Sequence, residues 1–365
     1  MESLELGGQV LPNCNFWNGK KVLVTGHSGF KGCWLTLWLV RLGAEVSGVS
    51  LPPDCRPSLF DTVSLPEVCA SYFKDIRSLD SINAIIAQES PDVIFHLAAQ
   101  PLVIAGYENP VETFETNIMG TLNVLQAAKK VAKTSIVIVV TTDKVYAQNP
   151  ECVPFSETDK LGATDPYSTS KTCAELVVQS FRYSATDLDR PTVATVRAGN
   201  VIGGGDWSEN RLIPDAIRAW AQNKPLKIRQ PDAIRPWQHV LEPLAGYLRL
   251  AEHLWVASND AGAFNFGPMP ENQLTVLQVL SILSGELNYD FGIQQGDGHR
   301  YNEASWLGLD IGKADDLLGF RPSWSAETAI KVTSNWYRKA QKEESTLDLC
   351  LDDIAQYELG ASDFV

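Results

Sequence analysis

The sequence lacks the features of a disulfide-linked, zinc-binding or membrane-spanning protein. Its 7 cysteines are scattered and include no CxxC pair, which excludes a disulfide framework and the usual zinc spacing. We therefore expect a reducing, cytoplasmic location and no metal site. There is no apolar run of about 18 residues, so no membrane span is expected. Residues 1–15 do not combine a basic region with an apolar run, so no signal peptide is expected either.

Positive charge is also scarce. The chain has 30 lysines and arginines against 44 aspartates and glutamates, a formal net charge of −14. This balance excludes a nucleic-acid-binding surface, which needs clustered basic residues, although it leaves room for a local basic pocket. At 365 residues, 44% hydrophobic and 20% charged, the chain has the composition of an ordinary globular protein with one large domain or two closely joined ones.

Short apolar strands alternate with helices along the first part of the chain. Strands are predicted over residues 20–25, 44–50, up to about 75, 93–97, 136–140 and 192–197. Helices are predicted over residues 33–40, 79–90 and 111–133, and again around residue 170. Because several strands are apolar on both faces, the pattern predicts an α/β fold with a doubly wound parallel sheet.

A glycine-rich turn joins the first predicted strand to the first helix. It has GxxGxxG spacing and reads Gly26-His27-Ser28-Gly29-Phe30-Lys31-Gly32. The helix N-terminus offers amide groups and a positive dipole to a diphosphate, and the glycines allow close backbone approach. This context predicts a dinucleotide-binding turn. Its expected cofactor-binding residues are Gly26, Ser28, Gly29, Phe30, Lys31 and Gly32.

Further cofactor contacts are expected where the next strands end. The second strand ends at Ser50 with no carboxylate before Asp54, so the usual acidic ligand of the adenosine ribose in NAD is missing. Ser50 would bond the ribose, whereas Arg56 would accept a 2′-phosphate, so these residues alone leave NAD and NADP open. Asp75 and Ile76 would flank the adenine. Four residues would pack against the ribose and nicotinamide: Leu97, Ala98, Ala99 and Gln100.

A Tyr–Lys pair follows the fifth predicted strand. Tyr167 and Lys171 are four residues apart, so on a helix they project from one face. The ammonium would lower the phenol pKa from its ordinary value near ~10 and make Tyr167 a base. Thr142, at a strand end, would bind the same substrate oxygen. YxxxK alone is a weak signal, but with the glycine turn it predicts removal of an alcohol proton as a nicotinamide accepts hydride.

From about Phe16 to Trp336 the chain strongly resembles the extended short-chain dehydrogenase/reductase superfamily. Within its NAD-dependent epimerase/dehydratase family, it is most similar to the CDP-glucose 4,6-dehydratases. The segments that carry the resemblance are FWNGKKVLVTGHSGFKGCWL, FHLAAQPLV, ETNIMGTLNVL, TTDKVY, DPYSTSK, VRAGNVIGGGDW, AIRPWQHVLEPL, NFGP and NEASWLGLD. GGGDW, IRPWQHVLEP and the Lys of TTDK are the ones specific to the CDP-sugar branch.

This resemblance implies a domain plan. A Rossmann-type NAD-binding domain would span 16–197, with strand contributions from about 235–267. A smaller, interleaved C-terminal lobe over 198–340 would mainly bind the nucleotide sugar. An N-terminal extension (1–15) and a peripheral acidic C-terminal segment (341–365) would complete the chain. The family implies tightly held NAD, so NAD is expected over NADP, with Thr116 as a further cofactor contact.

The resemblance also implies an internal redox dehydration of CDP-glucose to a 4-keto-6-deoxy sugar. The catalytic residues would be Thr142, Asp143, Lys144, Tyr167 and Lys171. Asp143 would protonate the departing 6-hydroxyl. Lys144 stands where the dTDP-glucose enzymes have a glutamate as the C5 base. It would either act as that base in its neutral form, or stabilise the enolate or pair with a carboxylate.

The substrate diphosphate needs cations and amide groups. Asn200, Arg211, Arg235 and Arg300 are the expected substrate-binding residues. Arg235 is favoured by its place in IRPWQHV, whereas Arg211 and Arg300 are equally compatible with surface ion pairs. The residues that read the cytosine, and the downstream pathway, are not indicated.

Other functions remain open at this point. One is another nucleotide-sugar 4,6-dehydratase or an epimerase of the same superfamily, but Asp143-Lys144 after Thr142 favours the dehydratase. The other is a nicotinamide-binding sensor without catalysis, which would not need Tyr167 and Lys171. The family implies a homodimer or homotetramer that uses the Tyr–Lys helix and the helix around 111–133 as a four-helix interface.

Overall fold

The computed structural model describes residues 11–131, 134–149, 151–184, 191–269, 273–296 and 306–360. Its centre is one seven-stranded sheet. The strands are β1 (Lys21–Thr25), β2 (Glu45–Ser50), β3 (Ala70–Phe73), β4 (Val93–His96), β5 (Ile136–Val140), β6 (Thr192–Ala198) and β11 (Ala263–Phe266). They lie in the order β11-β6-β5-β4-β1-β2-β3, and every neighbouring pair is parallel. The predicted Rossmann-type doubly wound sheet is confirmed.

Within the described ranges, three two-stranded sheets accompany the main sheet. Their strands are β7 (Val201–Ile202), β8 (Lys227–Ile228), β9 (Ile234–Arg235), β10 (Gln238–His239), β12 (Leu274–Thr275) and β13 (Gln294–Gln295). β7 pairs with β10, β9 with β12 and β8 with β13. Of the region 235–267, only β11 joins the main sheet.

Helices cover both faces of the sheet. They are α1 (Cys14–Trp17), α2 (Phe30–Arg41), α3 (Leu59–Thr62), α4 (Leu79–Glu89), α5 (Val103–Glu108), α6 (Pro110–Phe114), α7 (Gly120–Lys129), α8 (Pro166–Ser184), α9 (Leu212–Gln222), α10 (Leu241–Val256), α11 (Val276–Leu287), α12 (Gly312–Leu318), α13 (Ala326–Ala340) and α14 (Thr346–Glu358). Several begin at a residue whose hydroxyl accepts an amide of the first turn, as Ser78 does for α4, Thr275 for α11 and Ser325 for α13.

The central strands are apolar on both faces because helices cover both. In β5, Ile136 and Ile138 belong to the larger core, which includes the buried residues of α2, α10 and α13. Val137 and Val139 belong to a second core shared with α4, α7 and α8. Alternate residues of one strand thus enter two different cores, as the pleat requires.

The helix predicted over 111–133 is not a single α-helix. α6 continues into a π-helical turn, Glu115–Met119, before α7 begins, and α7 ends at Lys129. Within the π turn, Asn117 Oδ1 accepts the Gln100 amide at 2.8 Å, and Nδ2 donates to Ser170 Oγ at 2.8 Å. The turn thereby links the loop after β4 to α8.

The acidic C-terminal segment is not peripheral, contrary to the prediction. Cys350, Ile354 and Tyr357 of α14 are fully buried. The ring of Tyr357 packs edge-on against Trp38 of α2 with centroids 5.5 Å apart, and Trp38 Nε1 donates to Glu358 Oε1 at 2.9 Å. One apolar face of the segment therefore completes the core behind α2, while the acidic residues lie mainly elsewhere.

The buried side chain of Glu242, on α10, is hydrogen-bonded to α14 and to the segment before α13. Its carboxylate accepts hydrogen bonds from the Trp324 amide at 2.6 Å, the Ser323 amide at 3.2 Å and the Tyr357 hydroxyl at 2.7 Å. Burial raises the pKa of Glu242 to about 7, although these hydrogen bonds act in the opposite direction.

We expect Glu242 to make stability depend on pH. Its pKa rises on folding from 4.5 to about 7, so its contribution is fully present below 4.5 and is lost as pH rises through about 7. The measurement is chemical denaturation at about pH 5 and about pH 8. Between these two pH values the wild type should lose more free energy of unfolding than Glu242→Gln, because the glutamine amide does not titrate. Identical pH dependence in the two proteins would contradict this role.

Candidate active site

The glycine turn lies at the carboxyl edge of the sheet, between β1 and α2. Gly26 has a φ of 78°, and a Cβ there would lie 2.7 Å from the Ala98 backbone nitrogen. A Cβ on Gly32 would lie 2.1 Å from the Gly26 carbonyl oxygen. Both positions therefore require glycine, because the turn, the end of β4 and α2 approach too closely for any side chain.

The N-terminus of α2 faces this edge. Its N-cap is Gly29, which supplies no side-chain hydrogen bond to the first turn. The hydroxyl of Ser28 is directed away, donating to the Leu51 carbonyl at 2.8 Å. The amides of Phe30 and Lys31 and the helix dipole thus form the kind of cradle that binds a diphosphate. The turn fits a dinucleotide lying across the carboxyl ends of the strands.

The end of β2 is occupied by a hydrogen-bonded histidine. Ser50 is 5% exposed and its hydroxyl lies 3.1 Å from His27 Nδ1, while His27 Nε2 lies 3.0 Å from Ser71 Oγ. Burial lowers the pKa of His27 to about 4, so the ring is neutral at neutral pH. The Ser50 hydroxyl is thus engaged inside the fold, and its contact with a ribose stays a prediction.

The predicted adenine-flanking residues lie beyond β3. Asp75 is partly exposed and forms an ion pair with Arg77, with 2.6 Å between Oδ2 and the guanidinium NH2 nitrogen. This hydrogen bond lowers the pKa of Asp75. Ile76 is buried, and its Cδ1 would lie 2.4 Å from a Cβ added to Gly120. Asp75 is therefore placed at the surface and Ile76 beneath it.

The segment after β4 is half-buried and lies beside the glycine turn. The amide of Ala98 donates to Thr25 Oγ1 at 3.1 Å, and Gln100 Nε2 donates to Thr113 Oγ1 at 2.8 Å. Leu97 and Ala99 are half-buried as well, as is Thr116 in the π turn. These contacts hold the segment in place while one side of it remains accessible.

The predicted triad is assembled at the ends of β5 and α8. Thr142, Tyr167 and Lys171 are each less than 9% exposed. The Thr142 hydroxyl is near enough to Tyr167 to lower the pKa of its phenol, and Lys171 Nζ donates to the Val140 carbonyl at 3.0 Å. The structure thus brings together three side chains that are distant in sequence.

The pKa values of the triad differ from the prediction. Burial raises the pKa of Tyr167 to about 12; the nearby Thr142 hydroxyl and the charge of Arg211 oppose this rise. Burial lowers the pKa of Lys171 to about 8, against the opposite effect of Glu175. Desolvation thus outweighs the expected influence of Lys171 on the phenol. A further positive charge beside the ring, such as an oxidised nicotinamide, would favour the phenolate.

Asp143 and Lys144 lie in a 3₁₀ turn that follows Thr142. Asp143 is 1% exposed, and its Oδ1 accepts the Thr142 hydroxyl at 2.9 Å. Lys144 Nζ lies 3.9 Å from the same oxygen, with 28% of its side chain exposed. Asp143 Oδ2 is buried and has no hydrogen-bond partner among the described residues. A buried carboxylate oxygen without a partner fits a group that meets a substrate hydroxyl.

A buried ion pair beneath Lys171 was missed in the sequence. Glu175 accepts hydrogen bonds from Arg197 Nε at 2.8 Å, Thr141 Oγ1 at 2.6 Å and Thr195 Oγ1 at 2.8 Å. Arg197 also donates to the Tyr146 hydroxyl at 2.8 Å. The spacing of Glu175, four residues beyond Lys171, was the available signal.

Tyr247 on α10 was missed too, and no local pattern marks it. It is fully buried, and its hydroxyl has no hydrogen-bond partner within the described ranges. Burial raises its pKa, and the charges of Tyr167 and Asp143 add to that rise. Lys31 Nζ lies 5.6 Å from its ring centroid. Tyr247 therefore lines the inner side of the triad.

Three of the four predicted substrate-binding residues, Asn200, Arg211 and Arg235, lie in the described part of the chain. Arg211 is paired with Asp206 at 3.2 Å, yet its charge also acts on Tyr167. Arg235 is 7% exposed and donates to the Ile234 carbonyl at 2.9 Å. Asn200, just after β6, accepts the Gln238 amide on its carbonyl at 3.3 Å. Arg300 lies outside the described residues.

The described part of the chain has neither a metal-binding cluster nor a membrane-spanning helix. Those residues contain no group of three or more His, Cys, Asp or Glu side chains that could hold a metal ion. None of their helices is both long enough and apolar enough to cross a membrane.

Comparison with known proteins places this site in a family. The sequence model of the NAD dependent epimerase/dehydratase family matches residues 22–267. The chain belongs to that family. A CDP-glucose 4,6-dehydratase from Salmonella typhimurium is 41% identical over 350 residues, which are 94% of this chain and 97% of that protein.

Other relatives agree with membership of the epimerase/dehydratase family. A dTDP-glucose 4,6-dehydratase from Shigella flexneri is 29% identical, covering 87% of this chain and 92% of that protein. The crystal structure of a UDP-glucose 4-epimerase from Thermotoga maritima, determined with UDP-glucose, has a TM-score of 0.77 at 23% identity. It covers 88% of this chain and 99% of its own and shares the fold.

Proposed function

We propose that the protein is a CDP-glucose 4,6-dehydratase that converts CDP-D-glucose to CDP-4-dehydro-6-deoxy-D-glucose with NAD. The observation that carries the proposal is the assembly of Asp143 beside the Thr142–Tyr167 pair. An epimerase needs the pair but no acid for the 6-hydroxyl. The 41% identity to the Salmonella typhimurium enzyme, over nearly the whole of both chains, supports the same reaction.

The residues around the glycine turn fit NAD. The Phe30 and Lys31 amides would hold the diphosphate at the N-terminus of α2. The half-buried segment from Leu97 to Gln100 would pack against the ribose and nicotinamide, with Thr116 beside it, while Ser50 and Asp75 would face the adenosine half. When bound, NAD supplies the oxidant that takes hydride from C4 and gives it back at C6.

Tyr167 and Thr142 would act on the sugar 4-oxygen. Thr142 would hold the oxygen by a hydrogen bond, and the Tyr167 phenolate would remove its proton. Lys171, buried and bonded to the Val140 carbonyl at 3.0 Å, would stabilise that phenolate by its charge. The resulting 4-ketone acidifies the proton on C5, which prepares the elimination.

Asp143 and Lys144 would carry out the elimination. The Asp143 carboxyl, in its protonated form, would give a proton to the 6-hydroxyl as the C6–O bond breaks and water leaves. For Lys144 two roles are proposed: the neutral amine removes the C5 proton, or the ammonium stabilises the enolate. Its Nζ lies 3.9 Å from Asp143 Oδ1, a distance that also fits the third alternative, an ion pair with that carboxylate.

The diphosphate of the substrate would be held by Arg211 and Arg235, with Asn200 adding a hydrogen bond and Arg300 a further charge. Arg211 supports this role because its charge lowers the pKa values of both Tyr167 and Lys31, although it is also paired with Asp206. We also propose the division into a cofactor domain over 16–197 and a mainly substrate-binding lobe over 198–340. The seven free cysteines support a reducing, cytoplasmic location.

The deciding experiment offers CDP-, dTDP-, UDP- and GDP-glucose to the purified protein in deuterated water, with and without added NAD. A CDP-sugar that loses one water and gains solvent deuterium at C5, seen by mass spectrometry and NMR, is the expected product. The Tyr167→Phe variant with the same donors is the control for contaminating enzymes. Unchanged mass with an inverted sugar centre would indicate an epimerase, and turnover of another donor would correct the nucleotide.

We further propose a homodimer formed through α6, the π turn and α8. Val111, Met119 and Leu176 on these contacting elements are 69%, 48% and 50% exposed. Exposed apolar side chains on adjoining helices indicate a protein interface.

Leu176→Glu is expected to convert the dimer to monomers, because it places a charge in the apolar interface. The measurement is sedimentation velocity. Leu317→Glu, at a 40% exposed position of α12, is the matched control and should stay dimeric. Unchanged mass for Leu176→Glu would contradict this interface, and a mass of four chains in the wild type would indicate a tetramer.

A further inference from the structure

The 3₁₀ turn that carries the proposed acid is hydrogen-bonded on both sides to one buried ion pair, Glu175–Arg197. On the side of β5, the Thr141 hydroxyl donates to Glu175 at 2.6 Å. On the other side, the guanidinium of Arg197 donates to the Tyr146 hydroxyl at 2.8 Å. Both ends of the turn are therefore held by groups that are themselves paired inside the core.

The Tyr146 side chain is fully engaged inside the fold. Its hydroxyl, which accepts from Arg197, also donates to Asn265 Oδ1 at 2.7 Å. Its ring stacks on Phe155, with centroids 4.8 Å apart and an angle of 3° between the planes. Burial raises the pKa of Tyr146 to about 12, against the effect of Arg197, so the phenol is neutral at neutral pH. A phenol that already donates and accepts holds its own backbone in place and does not act on a substrate.

The carboxyl group of Asp143 depends on this backbone for its direction. The Thr142 hydroxyl bonds Oδ1 at 2.9 Å, while Oδ2 is buried and has no hydrogen-bond partner in the described ranges. The position of Oδ2 is therefore set by the turn that leads to Tyr146. Displacing a catalytic group by about 1 Å can lower a rate about 10²-fold, so the anchor of the turn matters for proton transfer.

We propose that Tyr146 is a positioning residue whose hydroxyl, through Arg197 and Asn265, fixes the turn so that the Asp143 carboxyl meets the sugar 6-hydroxyl. The inference rests on the dehydratase function proposed above, because only the elimination needs an acid at the 6-oxygen. In that step the base takes the C5 proton and the electron pair of the C5–H bond forms the C5=C6 double bond. The Asp143 proton passes to the 6-oxygen, the C6–O bond breaks and water leaves. Tyr146 neither gains nor loses a proton.

The test compares two donors that differ only in the group that leaves C6: CDP-glucose and CDP-6-deoxy-6-fluoroglucose. Fluoride leaves without a proton, so its departure depends less on an acid than that of the hydroxyl group. In Tyr146→Phe, kcat/KM should fall about 10- to 100-fold for CDP-glucose and at most about 2-fold for the fluoro sugar. The phenylalanine keeps the ring that stacks on Phe155. The folded fraction of the preparation cancels in the ratio of the two kcat/KM values.

Two further variants separate positioning from a general loss of stability. Asp143→Asn removes the acid itself, and adding Tyr146→Phe to it should cause no further loss, because Tyr146 acts through that carboxyl. Tyr357→Phe is the matched control. It removes another buried hydroxyl, which donates to Glu242 at 2.7 Å, and should leave both kcat/KM values as in the wild type.

Three results would overturn the proposal: wild-type kinetics in Tyr146→Phe, an equal loss for both donors, or an additive loss in the double variant. Any of them, found together with dehydration of CDP-glucose by the wild type, would contradict only the role of Tyr146. Absence of CDP-glucose turnover in the wild type would overturn the dehydratase and this role with it.

Discussion

Replacing Tyr167 by Phe is expected to lower kcat by about 10²- to 10⁴-fold, because it removes the group that takes the proton of the 4-hydroxyl. The change should leave the fold and cofactor binding intact. Tyr167 is 8% exposed, and its backbone and Cβ lie beside Gly106, so neither property depends on the hydroxyl. The Thr142 hydroxyl still donates to Asp143 at 2.9 Å.

The measurement combines steady-state turnover of CDP-glucose with NADH titration of the same preparation. Tyr289→Phe removes a hydroxyl that donates to the Lys224 carbonyl, away from the site, and should retain full activity. Wild-type turnover in Tyr167→Phe would exclude Tyr167 as the base. Loss of cofactor binding together with activity would show that the tyrosine mainly shapes the pocket.

Replacing Arg197 by Met is expected to lower the free energy of unfolding by about 3–5 kcal/mol. The guanidinium donates two hydrogen bonds to Glu175, at 2.8 and 2.9 Å, and both side chains are only 4% exposed. Methionine has a similar length but carries no charge to balance the Glu175 carboxylate. That buried carboxylate would then have only the Thr141 and Thr195 hydroxyls as hydrogen-bond donors.

Chemical denaturation of the wild type, Arg197→Met and the double variant Arg197→Met/Glu175→Leu measures this effect. The double variant should recover part of the loss, because no unpaired charge remains in the core. Arg41→Met, which removes an exposed partner of Glu358, is the control and should change stability little. A loss below about 1 kcal/mol in Arg197→Met would show that the pair is not needed for stability.

Much of the fold and of the site could be predicted because the signals are local. The apolar run of β5 and the glycines between β1 and α2 need only neighbouring residues to be interpreted. Tyr167 and Lys171 share a helical face by spacing alone, and Thr142 stands at a strand end. Residue type and short-range geometry therefore suffice for these features.

The rest depends on contacts between distant segments. Tyr247 joins the site only because α10 packs beneath the sheet, and nothing near it in sequence indicates this. The pKa of Tyr167 rises to about 12 through burial, which a sequence does not specify. The π turn before α7 has the same residue pattern as an α-helix, so an uninterrupted helix was the natural prediction.

The packing of α14 against α2 has a consequence for synthesis. Trp38 and Glu358 are separated by 320 residues, yet their hydrogen bond and the adjoining Tyr357 ring cover the outer side of the helix that follows the glycine turn. On the ribosome, residues 26–32 emerge long before the segment that covers α2. A nascent chain thus exposes the apolar back of α2 until translation reaches Thr346–Glu358. We expect unfinished chains to need chaperone contact most during this interval. The packing behind α2 is complete only once Thr346–Glu358 has been synthesised.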